Sequence, residues 1–271
     1  MGGEGRPIDS TRTDGRGDYT LAIRRPDSAA IYVVSSRYAG IAYFSEPLVP
    51  ARHPTSRLHP IAVYDTSSTG PAVALSRRLV TIARPKHDGT RDVLELLELE
   101  NPGEKTRVAP DTLQPAWAGA IPRAAIQFRV GQGDLSPQAV TLRGDSVEVF
   151  APIPPGERKQ LSYAYVLPAD VRAVTVPIDQ PVAEVDLLLE DTAAVVTASH
   201  LDSLGTEDLE GRRFARYRMR DVAPRAGLAI ALSAGGLQAE TLVPVVVVLA
   251  GIALGIGFVI ALRRKPPEAH G

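Results

Sequence analysis

Hydrophobic and polar residues alternate along most of this chain with the two-residue period of a β-strand. Leu161, Tyr163, Tyr165 and Leu167 show the pattern clearly, because mostly small or polar residues lie between them. The same pattern predicts strands at 19–24, 30–38, 41–44, 79–83, 93–100, 126–130, 140–142, 147–151, 174–178, 184–189, 193–198, 214–219 and 228–232. Turns rich in glycine and proline separate these strands roughly every ten residues, which is typical of antiparallel β-sandwiches.

Helical periodicity is weak before residue 242, where only 206–212 favours a single helical turn. Pro177 cannot donate to a β-ladder, so the strand at 174–178 is expected at a sheet edge. The predicted fold is therefore all-β, made of immunoglobulin-like β-sandwich modules, with one transmembrane α-helix at the C-terminal end.

The apolar run from Leu242 to Leu262 contains no charged residue and predicts that helix. At about 1.5 Å per residue it would be about 31 Å long, enough to cross a hydrocarbon core of about 30 Å. Cations follow it at once, and the positive-inside rule places the tail 263–271 in the cytoplasm and the β region outside. We therefore expect the lipid bilayer to be a partner of this chain, and Gly251 and Gly255, four residues apart, favour weak self-association of the helix.

Breaks in composition divide the chain further. The stretch 47–72 is rich in proline and indicates a linker between a partial β module at 1–46 and a sandwich at 73–170. A second β region at 171–235 belongs either to the same sandwich or to another one.

The predicted export raises a difficulty, because the first residues have no apolar segment typical of a signal peptide. Two explanations stay open at this point. Either the β region is cytoplasmic and tail-anchored against the charge bias, or the natural protein begins upstream of Met1, which is the explanation we favour.

A segment near the beginning resembles a known module. Thr13, Asp14, Gly17 and Tyr19, followed by the strand at 41–44, resemble the later half of a carboxypeptidase regulatory-like domain, and the β patterns with the anchor resemble bacterial membrane-anchored proteins that carry it. The resemblance implies a prealbumin-like accessory sandwich without peptidase activity, and it assigns no active-site residue. The module's first strands are absent here, which favours an upstream beginning.

Composition excludes several functions. The formal net charge is −1, so no basic field attracts nucleic acid, and no nucleic-acid partner is expected. The chain has no cysteine, which excludes disulfides, thiolate nucleophiles and cysteine-based zinc sites.

The residues with catalytic or ligating side chains have structural interpretations. The five histidines, His53, His59, His87, His200 and His270, lack metal-site spacing. Ser199, His200 and Asp202 lie too close in sequence for a nucleophilic relay and predict a polar turn. Glu95, Glu98 and Glu100 are interpreted as a solvated strand, with Glu95 on the opposite face from the other two.

Three short glycine motifs are interpreted as turns. Two of them, Arg16–Gly17–Asp18 and Arg143–Gly144–Asp145, spell a tripeptide found in adhesion ligands, and Gly131–Gln132–Gly133 lacks the helix that a phosphate loop requires. No catalytic, cofactor-binding or metal-binding residue is assigned, and the chain is predicted not to be an enzyme. The sequence predicts a binding or scaffolding role in the cell envelope, towards a protein or glycan. The alternative is an envelope hydrolase whose site residues come from scattered loops.

Overall fold

The structure, a computed structural model, describes residues 6–27, 29–49 and 57–233. The chain divides into two units, Met1–Val63 and Tyr64–Gly271. Within the described ranges no helix is long and apolar enough to cross a membrane. The predicted transmembrane run, with Gly251 and Gly255, lies outside those ranges.

The first unit contains one β-hairpin among its described residues, made of β1 (Ser35–Tyr38) and β2 (Ile41–Phe44). Tyr38 pairs with Ile41, and the two turn residues between them have positive φ values of 48° at Ala39 and 81° at Gly40. Such a two-residue turn matches the twist of the strands that it joins. The segment 19–24, predicted as a strand, is irregular in the structure.

The described residues of the second unit are all-β except for a short 3-10 helix at Pro137–Ala139. Its strands among the described residues are β3 (Thr66–Ser67), β4 (Ala74–Ile82), β5 (Arg91–Glu100), β6 (Thr106–Arg107), β7 (Trp117–Ala120), β8 (Ile126–Val130), β9 (Val140–Arg143), β10 (Ser146–Val149), β11 (Arg158–Leu167), β12 (Ala173–Val176), β13 (Val182–Leu189), β14 (Val195–Thr197), β15 (Asp202–Leu209), β16 (Arg212–Val222) and β17 (Leu228–Ala231). The prediction of an all-β sandwich fold is confirmed.

A seven-stranded sheet in the order β15-β16-β13-β4-β5-β11-β8 organises this unit. Its neighbours are antiparallel except for β4 and β13, which pair in parallel from Leu75 opposite Val182 to Ile82 opposite Leu189. That parallel pair joins the strands of the first half of the unit, β4 to β11, to those of the second half, β12 to β17.

Two three-stranded sheets, β7-β10-β9 and β12-β17-β14, supply the other layer. Alternate residues of their strands, such as Val147 and Val149 on β10 and Leu228 and Ile230 on β17, are buried. They belong to one apolar core cluster with Val80, Leu97 and Leu187 of the large sheet. The two halves are therefore sandwiches that share one sheet and one core. β12 lies at an edge of its sheet, as Pro177 predicted.

The alternation located most long strands correctly, and β2 and β8 have the predicted bounds. It missed β7, β15 and the two-residue strands β3 and β6. The helical turn predicted at 206–212 is wrong, because Thr206 to Leu209 pair with Ala215 to Arg212 in a β-hairpin. Cross-strand pairing outweighs the weak local helical tendency of this polar segment.

Candidate functional site

A buried ion pair lies in the middle of the large sheet. Arg78 on β4 and Glu95 on β5 both point into the core, where they are 2 % and 0 % exposed. The Nε atom of Arg78 donates a hydrogen bond of 2.7 Å to Oε2 of Glu95. A pair so far from water is tolerated only when hydrogen bonds satisfy the remaining polar atoms of both groups.

Two tyrosines of β11 donate the remaining hydrogen bonds to the Glu95 carboxylate. The hydroxyl of Tyr163 donates to Oε2 at 3.0 Å, and that of Tyr165 donates to Oε1 at 2.9 Å. Burial raises the pKa of both hydroxyls well above the ordinary value, and the Glu95 charge raises it further. Both tyrosines therefore stay protonated donors.

Arg78 also connects the two small sheets. It donates to the carbonyl oxygen of Ala120 in β7 at 3.2 Å and to that of Pro177, just after β12, at 2.6 Å. Burial by itself would lower the pKa of the Arg78 guanidinium, but the charge and hydrogen bond of Glu95, together with the two tyrosines, outweigh burial and the pKa is raised. The guanidinium thus remains charged and joins β5, β7 and the end of β12.

The loop that follows β12 makes a second connection to β7. The indole Nε1 of Trp117 donates to Oε1 of Gln180 at 2.9 Å, and Nε2 of Gln180 donates to the carbonyl of Ala118 at 3.0 Å. The backbone amide of Ala120 donates to Asp179 at 3.0 Å. Together with Arg78, these bonds hold the junction between the two sandwiches.

The interpretation of Glu95 as part of a solvated strand is therefore wrong. Glu95 does lie on the opposite face of β5 from Glu98 and Glu100, as predicted, but the face of Glu95 is the one buried in the core. The sequence did contain a signal for the network. Glu95 occupies the same two-residue alternation as Val93 and Leu97, which predicts that its side chain shares their buried face.

The outer face of the large sheet carries a partly buried ion-pair network. Asp186 on β13 accepts from Nη2 of Arg77 at 2.6 Å and from Nε of Arg218 at 2.8 Å. Glu184 lies 3.4 Å from both guanidiniums. Burial acts to raise the pKa of Asp186, but the hydrogen bonds and charges of the two arginines outweigh it and lower the pKa. This network links β4, β13 and β16 on the face of the sheet opposite the core.

A polar cleft of about 560 Å³ opens at the end of the large sheet where β5 ends and β11 begins. Arg158 lies in it, 3.3 Å from Glu100 and 3.6 Å from Glu98. Lys159 lies 2.6 Å from Glu157. Both signs of charge are thus exposed in one depression, which suits a polar partner better than an apolar one. We call it the distal cleft.

Arg16–Gly17–Asp18, Arg143–Gly144–Asp145 and the pair Ser199–His200 lie at turns, as predicted, whereas Asp202 is the first residue of β15 and Gly131–Gln132–Gly133 lies in an irregular loop. Asp14 accepts from the amides of Arg16 and Asp18 at 2.8 and 2.9 Å, which closes a turn around Gly17. Gly144 joins β9 to β10 with a φ of 63°. His200 has a φ of 56° in the turn between β14 and β15.

Three of the five histidines lie in the described ranges. His59 lies 3.5 Å from Glu46 in the first unit, and both side chains are largely exposed. His87 lies in the β4–β5 hairpin, while His53 and His270 lie outside the described ranges. Within those ranges, no three histidine or carboxylate side chains converge as a metal site would require.

Comparisons with known proteins give no family. No protein-family model matches the chain, and no curated protein matches it. Among solved structures it is similar to an M1 zinc metallopeptidase from Deinococcus radiodurans, with 14 % identity and a TM-score of 0.39 over 61 % of this chain and 43 % of that one. It is also similar to a putative nutrient binding protein from Legionella pneumophila, with 13 % identity and a TM-score of 0.39 over 62 % of this chain and 70 % of that one.

The chain thus spans less than half the length of the metallopeptidase. Both TM-scores are below 0.5, and neither an activity nor a ligand for this chain follows from them.

Proposed function

We propose that this chain is a single-pass, membrane-anchored protein whose β-sandwiches lie outside the cytoplasm and serve a binding or scaffolding role in the cell envelope. The observation that carries the proposal is the shared seven-stranded sheet, locked by the buried Arg78–Glu95 pair, because it makes two sandwiches into one stiff body. A stiff body with polar clefts suits the presentation of a surface to a partner.

The position of the charges supports binding over catalysis. In the distal cleft, Arg158 is paired with Glu98 and Glu100, and Lys159 is paired with Glu157. Groups held in ion pairs at an open surface are suited to contact a polar partner, such as a protein or glycan. Acid–base chemistry instead requires a group with a perturbed pKa in an enclosed site.

The anchor is proposed from the sequence. The run 242–262 is long enough to span a bilayer, and the cations after it favour a cytoplasmic tail. The resemblance of 13–44 to a carboxypeptidase regulatory-like domain fits the same picture, because that module is an accessory sandwich of envelope proteins.

Fractionation and protease access test this proposal. The full chain is expressed in a bacterium with a signal peptide added, and its membranes are washed with alkaline carbonate. We expect the chain to stay with the membranes, while a variant lacking 242–262 is released. Protease added to spheroplasts should digest the β region. Full protection would contradict the extracytoplasmic placement, and release of the full chain would contradict the anchor.

A second arm tests binding. A photo-crosslinking residue at Glu157 should capture one protein or one glycan reproducibly from intact cells, and the same residue at Val195, exposed on β14, is the matched control. Equal capture from both positions would contradict a binding role for the distal cleft.

A further inference from the structure

The last described residue, Ser233, is held by a buried network. The amide and the hydroxyl of Ser233 both donate to Oδ2 of Asp191, at 3.1 and 2.5 Å. Nη2 of Arg91 donates to the Ser233 carbonyl at 2.8 Å and lies 3.0 Å from Asp191. Arg91 and Asp191 are only 3 % and 9 % exposed. We call these three residues the exit clamp.

The exit clamp lies at one end of the large sheet. Arg91 is the first residue of β5, and Asp191 follows the end of β13. The amide of Leu232 donates to the carbonyl of Arg172 at 2.8 Å, so the chain also contacts the loop after β11. A small polar depression at this end is lined by the β4–β5 hairpin, including His87 and Asp88, and by Ser233.

Asp191 remains ionised in the fold. Burial acts to raise the pKa of Asp191, but the hydrogen bonds from Ser233 and the charge of Arg91 outweigh it and lower the pKa. Charge-assisted hydrogen bonds of this kind are stronger than neutral ones, so the point at which the chain leaves the body is well fixed.

The distal cleft lies at the opposite end of the same strands. Arg91 pairs with Leu167 at one end of β5, and Glu100 pairs with Arg158 at the other. Nine steps of about 3.4 Å separate the two ends by about 31 Å. The eight residues between Ser233 and the apolar run, 234–241, can span at most about 28 Å.

We infer that the exit clamp orients the second unit on the membrane, so that the β4–β5 hairpin end faces the lipid headgroups and the distal cleft faces away from them. The inference rests on the proposed membrane anchor. A connection that reaches at most about 28 Å is shorter than the body, which is about 31 Å from one end to the other, so the far end meets the bilayer less often than the near end.

Single cysteines provide the test, because the natural chain has none. His87→Cys and Glu157→Cys, both at exposed positions, are introduced separately into the full chain, which is reconstituted into phosphatidylcholine–phosphatidylglycerol vesicles. A membrane-impermeant donor dye then labels only the outward-facing molecules. Energy transfer to a headgroup-labelled lipid should be several-fold higher from position 87 than from position 157.

Two further variants separate the causes. Arg91→Met removes the cation of the clamp, and Arg213→Met removes an exposed cation paired only loosely with Asp208 at 3.4 Å. We expect the first to reduce the difference between the two labels and the second to leave it unchanged. A glycine–serine insertion between residues 236 and 237 lengthens the connection without touching the clamp, and it should also reduce the difference.

The outcomes distinguish the inference from the function on which it rests. Failure of the labelled chain to float with the vesicles would overturn the anchor and the orientation together. Flotation with equal transfer from both positions would overturn the orientation alone. A difference that survives the insertion would also overturn it, since the orientation would then come from lipid contact and not from the short connection.

Discussion

At the residue scale, the decisive feature of the second unit is a charged group placed where the alternation demands an apolar one. Arg78 and Glu95 are in phase with Val80 and Val93, so they had to be buried, and the fold satisfies them with two hydroxyls and two carbonyls. A buried pair adds little net stability over apolar residues, but the loss of one partner is expensive.

Glu95→Gln should therefore destabilise the second unit by about 3–5 kcal/mol, because it leaves the Arg78 charge buried without a counterion. Tyr165→Phe, the control, removes one hydrogen bond to a charged acceptor and should cost about 1.5–3 kcal/mol. Urea unfolding of the detergent-solubilised chain, followed by the fluorescence of Trp117, the sole tryptophan, measures both. Equal costs would contradict the ionised pair.

Asp186 predicts a pH dependence of stability on the outer face. The pKa of Asp186 is lowered in the folded chain. The stability that its charge contributes is therefore complete above the pKa of the unfolded chain, about 3.9, and is lost as pH falls through the lower pKa of the folded chain. Between pH 5 and pH 2.5, Asp186→Asn should lose less free energy of unfolding than the natural chain. Asp191, whose pKa is also lowered, is present in both chains and cancels in the comparison. A parallel pair of pH curves would contradict this assignment.

At the element scale, the close approach of a loop to β11 depends on a glycine. A β-carbon on Gly133 would lie 2.6 Å from the carbonyl oxygen of Gln160, whereas one on Gly227 would meet nothing within 4 Å. Neither glycine has a positive φ, so space alone distinguishes them. The loop after β8 therefore has a steric requirement that the strand pattern does not reveal.

Gly133→Ala should destabilise the second unit by about 1–3 kcal/mol, since the loop or β11 has to move. Gly227→Ala is the matched control and should change stability by less than about 0.5 kcal/mol. Thermal or urea unfolding compares the two. A Gly133→Ala chain as stable as the control would show that the loop is looser than the structure indicates.

The strand elements also show how far the sequence could go. β2 and β8 have apolar alternation and turn residues at both ends, and both were predicted with their observed bounds. β15, with two aspartates, a glutamate and a glycine, carries no such signal and is a strand only because β16 lies beside it. The segment 19–24 is the reverse case, since its alternation finds no ladder partner among the described residues.

The network at Arg78 could not be assembled from the sequence for a related reason. Its members lie on four strands and one loop, up to 99 residues apart. Alternation gives the face of each side chain, but only the order of the strands brings Tyr163 and Tyr165 to Glu95.

At the scale of the whole molecule, the second unit is two sandwiches that share a core. One cluster contains Val149 of the first half and Ile230 of the second, and the parallel pair β4–β13 makes their sheet continuous. Cooperative units usually coincide with contiguous packing, so we expect the two halves to unfold together.

Two local probes test that cooperativity. Trp117 reports on the first half, and a dye on Val195→Cys, exposed on β14, reports on the second. Their urea transitions should share one midpoint and one slope. Two separate transitions would contradict a single unit. Circular dichroism of the chain with and without the dye is the control, and it should show the same separation in both.

The parallel pair of β4 and β13 has a final consequence for any attempt to divide the molecule. A fragment ending at residue 170 would keep β4 but lose β13, leaving the backbone amides and carbonyls along one side of β4 without partners. Such a row is a template for another chain. Separated halves should therefore associate with each other or with copies of themselves, and light scattering of the 64–170 fragment would detect it.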